Sequence, residues 1–193
     1  MIRINVFCED IAHEEFLKYL ISRISKKYGS ETDVKFSRST GGYGRVISDL
    51  EGYISDLRNG TLHLPDLIVV ARDSNCRGLS DTKDEINSVL GEYQERSVLA
   101  IPDPHIERWL LLDSSAFKSA LGTGCDAPDH KCEKGRYKKM MVNAVRNAGV
   151  TPQIGGLEHT EEIVKSMDLQ KMRTEDDSLG SLIQSLHHFF QGH

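Results

Sequence analysis

What this chain lacks narrows it first. It has no uninterrupted apolar run of the roughly 18–20 residues that a bilayer-crossing helix needs, so no transmembrane segment is expected. It lacks both a G-x-G-x-x-G after a strand and a G-x-x-x-x-G-K-[S/T], which argues against a dinucleotide oxidoreductase and a P-loop enzyme. It has no excess of positive charge: 24 Lys and Arg stand against 29 Asp and Glu, a net charge of −5. That excludes a whole-protein basic footprint for nucleic acid and leaves only a local patch. The N-terminus meets acids at Glu9 and Asp10 before any leader-like apolar stretch develops, so no signal peptide is expected. Cysteine is sparse and scattered (Cys8, Cys76, Cys125, Cys132). The set reads as reduced thiols of a cytoplasmic protein, and the Cys125-x4-His130-x-Cys132 spacing fits no standard structural zinc pattern. Internal repeats and low-complexity tracts are absent too.

What is present alternates between two periods. Residues 2–7 read as a strand, and 12–28 as a helix with Phe16, Leu17, Leu20, Ile21 and Ile24 on one face. Residues 34–36 are a short strand. Val46, Ile47, Leu50, Ile54 and Leu57 mark a second helix that stops at Asn59-Gly60. Leu67–Ala71 is continuously apolar, as expected of a strand covered on both faces. Ile86, Leu90 and Tyr93 mark a third helix, and "RSVLAIPDP" a fourth strand. Alternation of this kind predicts an α/β domain over residues 1–113, with a mostly parallel four-stranded sheet and helices on both faces. Residues 114–193 then read as a helical extension. Helices are expected over 106–112 and 115–121, along the Tyr137–Met140–Met141–Ala144–Val145–Ala148 face, and around 163–167 and 179–190.

In an open parallel sheet, ligands bind beyond the carboxyl ends of the strands. Glu9 and Asp10 follow the first strand; Arg72, Asp73, Ser74 and Asn75 follow the third; Asp103, His105 and Glu107 follow the fourth. Carboxylates converging on one edge suit Mg²⁺ or Mn²⁺, held by oxygen ligands, waters and substrate phosphate oxygens. "GGYG" before the second helix is a weak phosphate-approach signal.

At these residues the chain resembles a known family. A first strand ending on Glu9 and followed by "DIAHEEFL" looks like the opening of the Toprim fold of topoisomerases, bacterial primases and OLD-type nucleases. In that fold a strand-end glutamate and a later D-x-D hold divalent metal. Here Glu9 takes the first place and "RDSN" the second, with Asp73 first and Asn75 where the second acid would stand, a change that keeps an oxygen donor and loses a charge. "IPDPHIERWLLLDSS" is similar to the E-x-W-L-L-x-D-like helix of small stand-alone Toprim-like proteins of bacterial defence loci, with Glu107, Trp109 and Asp113 matching. "CDAPDHKCEKGRYKKMM" and "DDSLGSLIQSL" resemble the same group's C-terminal half.

The resemblance implies metal-dependent phosphodiester cleavage of DNA or RNA in anti-phage defence, beside a protein partner such as an ATPase. Metal would be held by Glu9, Asp73, Glu107 and Asn75. Glu9 or His105 would act as general base, Lys138 or Lys139 would steady developing charge, and Glu14 would add an outer contact. Lys131, Lys134, Arg136, Lys138 and Lys139 form the one dense basic run and the candidate backbone-contacting patch, with Arg38, Arg45 and Arg72 in support. An oligomer is compatible with these features.

Plainer roles compete. Glu9 and Asp10 could serve the N-terminus of the following helix, Asp73 could cap or turn, Glu107 could be a solvated helix charge, and Trp109 could be core. Two other functions stay open: a non-catalytic binding or regulatory module, and a hydrolase of small phosphate substrates.

Overall fold

The computed structural model of the chain describes residues 1–39 and 44–193. Gly41, Gly42 and Tyr43 of the "GGYG" motif lie outside the described residues. Four strands, β1 (Ile2–Cys8), β2 (Thr32–Arg38), β3 (Leu67–Ala71) and β4 (Ser97–Ala100), form one sheet in the order β2-β1-β3-β4. Every neighbouring pair is parallel. The crossovers are helices α1 (Ile11–Lys27), α2 (Arg45–Arg58) and α3 (Leu79–Leu90), the last followed by a 3₁₀ turn over Gly91–Arg96. This is a Rossmann-like α/β sheet flanked by helices, as the alternating pattern predicts.

Strand β3 shows why its sequence is apolar throughout. Successive side chains point to opposite faces. Leu67, Val69 and Ala71 enter one core, and Ile68 and Val70 enter the other. The first core holds α1 and the helices that follow the sheet; the second holds α2 and α3. The chain leaves β1 for β2 on one side, then returns to β3 on the other. The strand order therefore reverses between β1 and β3, and the loops leaving those two strands diverge there.

Six helices follow: α4 (Ile106–Leu111), α5 (Ser114–Leu121), α6 (Arg136–Asn147), α7 (Thr160–Ser166), α8 (Leu169–Glu175) and α9 (Asp177–Gln191). The helix α8 was not expected from the sequence. It is short and buries only Met172, too little for a helical period to show. All six pack into the same core as α1, so α1 lies between the sheet and α7 and α9, and its apolar face is correspondingly wide. Arg23 of α1 fastens this layer by donating to the carbonyls of Val164 and Met167, both at 2.6 Å.

The junction between sheet and extension is a buried polar network. Arg108 of α4 pairs with Asp176, which caps α9 by accepting from the Leu179 amide at 2.8 Å. Ser178 donates to Asp176 at 2.6 Å and accepts from the Trp109 indole at 2.8 Å. Trp109 is fully buried against Phe16, ring centroids 5.3 Å apart, and is a core residue. Asp113 caps α5 through the amides of Ser115 and Ala116, and its other oxygen accepts from the Asp168 amide at 2.8 Å. Gly180 allows α9 to meet α8: a Cβ there would fall 2.7 Å from the Arg173 carbonyl.

Candidate metal centre at the carboxyl edge

The reversal between β1 and β3 is where the strand-end acids meet. The Glu9 amide continues the sheet by donating to the Ala71 carbonyl at 3.2 Å, which keeps the Glu9 side chain beside the loop after β3. The Asp73 amide in turn donates to Glu9 Oε2 at 3.3 Å. Asp10 is the N-cap of α1, accepting from the amides of Ala12 and His13 at 2.9 and 3.1 Å, so the plain capping role holds for Asp10. The same oxygen lies 2.8 Å from His13 Nδ1.

His13 is the functional candidate that sequence reasoning missed. Its ring is buried between two carboxylates, with Nδ1 on Asp10 and Nε2 3.2 Å from Asp73 Oδ1. That Nε2 has no well-formed hydrogen bond. Among the described residues, Glu9, His13 and Asp73 are the three whose ligating atoms all lie within 4.8 Å of one another. The available signal was D-x-x-H at the start of a helix that follows a strand, since the first helical turn faces back toward the strand ends. Asp73 also accepts from the Ile106 amide at 2.9 Å and lies 3.0 Å from His105 Nδ1 through Oδ2. His105 Nε2 is left without a hydrogen-bond partner.

The charges in this cluster are not balanced pairwise. Burial raises the Glu9 carboxyl above its usual range, and the negative charge of Asp73 adds to that. Burial does the same to Glu107, with Asp73 and Asp10 contributing repulsion. For Asp73, burial opposes ionisation, but the His13 charge and the His105 hydrogen bond override it and hold the carboxyl low. Asp10 behaves alike: burial is outweighed by its bonds to His13, and its carboxyl falls to about 2. His13 is pulled the other way. Its own burial favours the neutral ring, yet Asp73 and Asp10 raise it to about 10. The hydrogen bond to Asp73 likewise raises His105. In this state an imidazolium supplies the positive charge that the carboxylates require.

The other candidates divide. Glu107 shares the field of the cluster but is not one of the three grouped donors. Asn75 sits in the left-handed region at φ +51°, its amide nitrogen donating to the Asp73 carbonyl at 3.3 Å. It shapes the turn that presents Asp73, and the third grouped donor is His13. Glu14 pairs with Arg38 at 3.4 Å, and Arg45 with Asp49 at 3.3 Å. Arg72 does not support a basic surface: it is completely buried and pairs with Glu85 at 3.2 Å.

In the basic run, Arg136 pairs with Asp129 and Glu133, and Lys131 with Asp129, so part of its charge is neutralised within the segment. Lys134, Lys138 and Lys139 are exposed. Tyr137 is buried, its hydroxyl bonded to Asp129 and Lys131 backbone and its ring 6.1 Å from that of His105. The run therefore passes beside the acidic edge at Tyr137.

The expectation of four reduced cysteines is corrected. Cys76 and Cys132, distant in sequence, are brought together by the fold with Cα atoms 5.5 Å apart and form a disulfide. Cys125 donates to the Leu111 carbonyl at 3.5 Å, and His130 lies 3.0 Å from Asp103, so these residues do not assemble the Cys125–His130–Cys132 zinc arrangement. No helix among the described residues is long and apolar enough to cross a membrane.

No protein-family model, curated protein or solved structure matches this chain.

Proposed function

We propose that the chain is a divalent-cation-dependent phosphodiesterase acting on DNA or RNA, of the Toprim-like kind its motifs resemble, working in the cytoplasm in anti-phage defence beside a partner such as an ATPase. The observation that carries the proposal is the meeting of Glu9, His13 and Asp73 at the reversal between β1 and β3. The donor set fits a cation: two carboxylates and an imidazole whose Nε2, 3.2 Å from Asp73 without a well-formed hydrogen bond, would release its proton as the ion binds. Imidazole among the donors favours Mn²⁺ over Mg²⁺. When bound, such an ion polarises a phosphate and stabilises the leaving oxygen.

The chain's own residues have separate tasks. Glu9, His13 and Asp73 would hold the ion, with Glu107 adding negative charge nearby. His105 is oriented by Asp73 through Nδ1, which leaves Nε2 to take a proton from attacking water and later return it. Lys134, Lys138 and Lys139 offer exposed charge for the polymer backbone.

The test is cleavage of plasmid DNA and of RNA with Mn²⁺ or Mg²⁺. Activity that disappears in Glu9→Ala and Asp73→Ala supports the reading. Activity that survives both removes this site from the chemistry.

One observation favours a second reading, a non-catalytic module. His13 already bridges Asp10 and Asp73, which satisfies those carboxylates without an ion. Stabilisation by a protein partner with no Mn²⁺ binding would favour it.

A further inference from the structure

The segment 122–135 joins α5 to α6 without helix or strand. Connections this long inside a compact domain are uncommon and usually functional. Three contacts hold it to the loops that carry the candidate metal centre. His130 lies 3.0 Å from Asp103 in the loop after β4. Tyr137, in the first turn of α6, bonds the Asp129 and Lys131 backbone of the segment through its hydroxyl and places its ring beside His105. The third is covalent: Cys132 is joined to Cys76, three residues beyond Asp73 in the loop after β3. The Asp73 side chain is 13% exposed and that of His105 15%.

We propose that Cys76–Cys132 is a redox latch: oxidised, it holds segment 122–135 closed against the acidic edge, and reduced, it lets the segment swing away and admit cation and substrate. The regulatory consequence rests on the cation-dependent function proposed above; the mechanical one does not.

The chemistry singles out this pair. Both sulfurs belong to exposed residues, within reach of a reductant. Cys8 is buried, and Cys125 is half-buried with its thiol donating to the Leu111 carbonyl, so neither lies open to the reductant as the bonded pair does. The reductant is a dithiol, small or protein-borne. Its thiolate attacks one sulfur, giving a mixed disulfide and releasing the other cysteine, which takes a proton. Its second thiol then displaces the first cysteine. The protein gains two electrons and two protons as the reductant closes to its own disulfide. Exposed disulfides are the labile and regulatory ones, and in a cytoplasmic protein a disulfide is usually of that kind.

The mechanical test is limited trypsin digestion of air-oxidised full-length protein, with and without dithiothreitol, the cut sites read by mass spectrometry. Reduction should speed cutting at Lys131 and Lys134 by about tenfold or more, because the segment opens locally while the rest of the fold stays closed. Cys132→Ser and Cys76→Ser should be cut at the fast rate in both conditions. A parallel Mn²⁺ titration by electron paramagnetic resonance should show tighter or faster binding after reduction. Equal cutting rates in oxidised and reduced protein overturn the latch, whatever the enzyme does. Faster cutting on reduction without polymer cleavage in either state leaves the latch standing and removes the proposed activity instead.

Discussion

Two buried polar clusters meet at α4, and they are built differently. At the Arg108–Asp176 junction one guanidinium meets one carboxylate, the Ser178 hydroxyl and the Leu179 amide also donate to that carboxylate, and Trp109 donates to Ser178. Burial alone would raise Asp176, but those hydrogen bonds hold its carboxyl low. At the carboxyl edge the carboxylates of Glu9, Asp10, Asp73 and Glu107 share a field with His13 and His105, and two of these acids are pushed upward. Both imidazoles keep an Nε2 without a good hydrogen bond. The first cluster pairs its charges one to one, even though Arg108 Nε is buried without a hydrogen-bond partner. The second crowds several carboxylates around two imidazoles, and acids pushed upward by burial and by one another are the physical mark of a site arranged for something else.

This contrast can be broken from either end. The largest effect should come from the charge-paired cluster. Arg108→Ala leaves Asp176 buried without its cation and should cost about 3–5 kcal/mol in urea unfolding. A loss below about 1 kcal/mol would show that the junction is not a structural anchor.

A substantial and pH-dependent effect is expected at His13 in chelator-treated protein. His13 is raised from 6.5 to about 10 on folding, so its contribution is fully present below about pH 6.5 and drains away as pH rises toward 10. Asp10 is lowered from 3.8 to about 2, so its contribution is present above about pH 4 and is lost as pH falls through 2. Metal-free stability should therefore be flat between about pH 4 and 6.5 as far as this pair is concerned, and decline on the alkaline side. His13→Gln should flatten that decline; an unchanged slope would mean that the ring is not held as an imidazolium.

The smallest effect should be a gain. Glu9 is raised by burial and by Asp73, so its charge works against the fold at neutral pH. Glu9→Gln should stabilise the metal-free protein slightly, on the order of 0.5 kcal/mol, while abolishing the rise in melting temperature that Mn²⁺ produces in the parent. A loss of several kcal/mol would place Glu9 with the structural residues.

Much of the architecture was legible because its determinants are local. The unbroken apolar run of β3, the helical stripe of α1 and the acids directly after β1 and β3 are contiguous, and parallel strands necessarily send their carboxyl ends to one edge. The short α8 was not legible, since a single buried methionine carries no period. His13 was hidden inside a helix read for its apolar face. Arg72 looked like a surface cation until the fold enclosed it against Glu85. Trp109 and Asp113 fall in one motif with Glu107, yet only Glu107 joins the field of the edge; the other two hold the extension in place.

By itself the sequence determined the α/β class, the strand whose two faces are both buried, and the edge at which acids gather. Periodicity and strand-end position are properties of neighbours along the chain. Tertiary structure alone decided that His13 stands between Asp10 and Asp73, that Asn75 turns the loop, and that Cys76 finds Cys132. Each of those depends on residues brought together by packing across the sheet or between loops, which spacing along a chain does not encode.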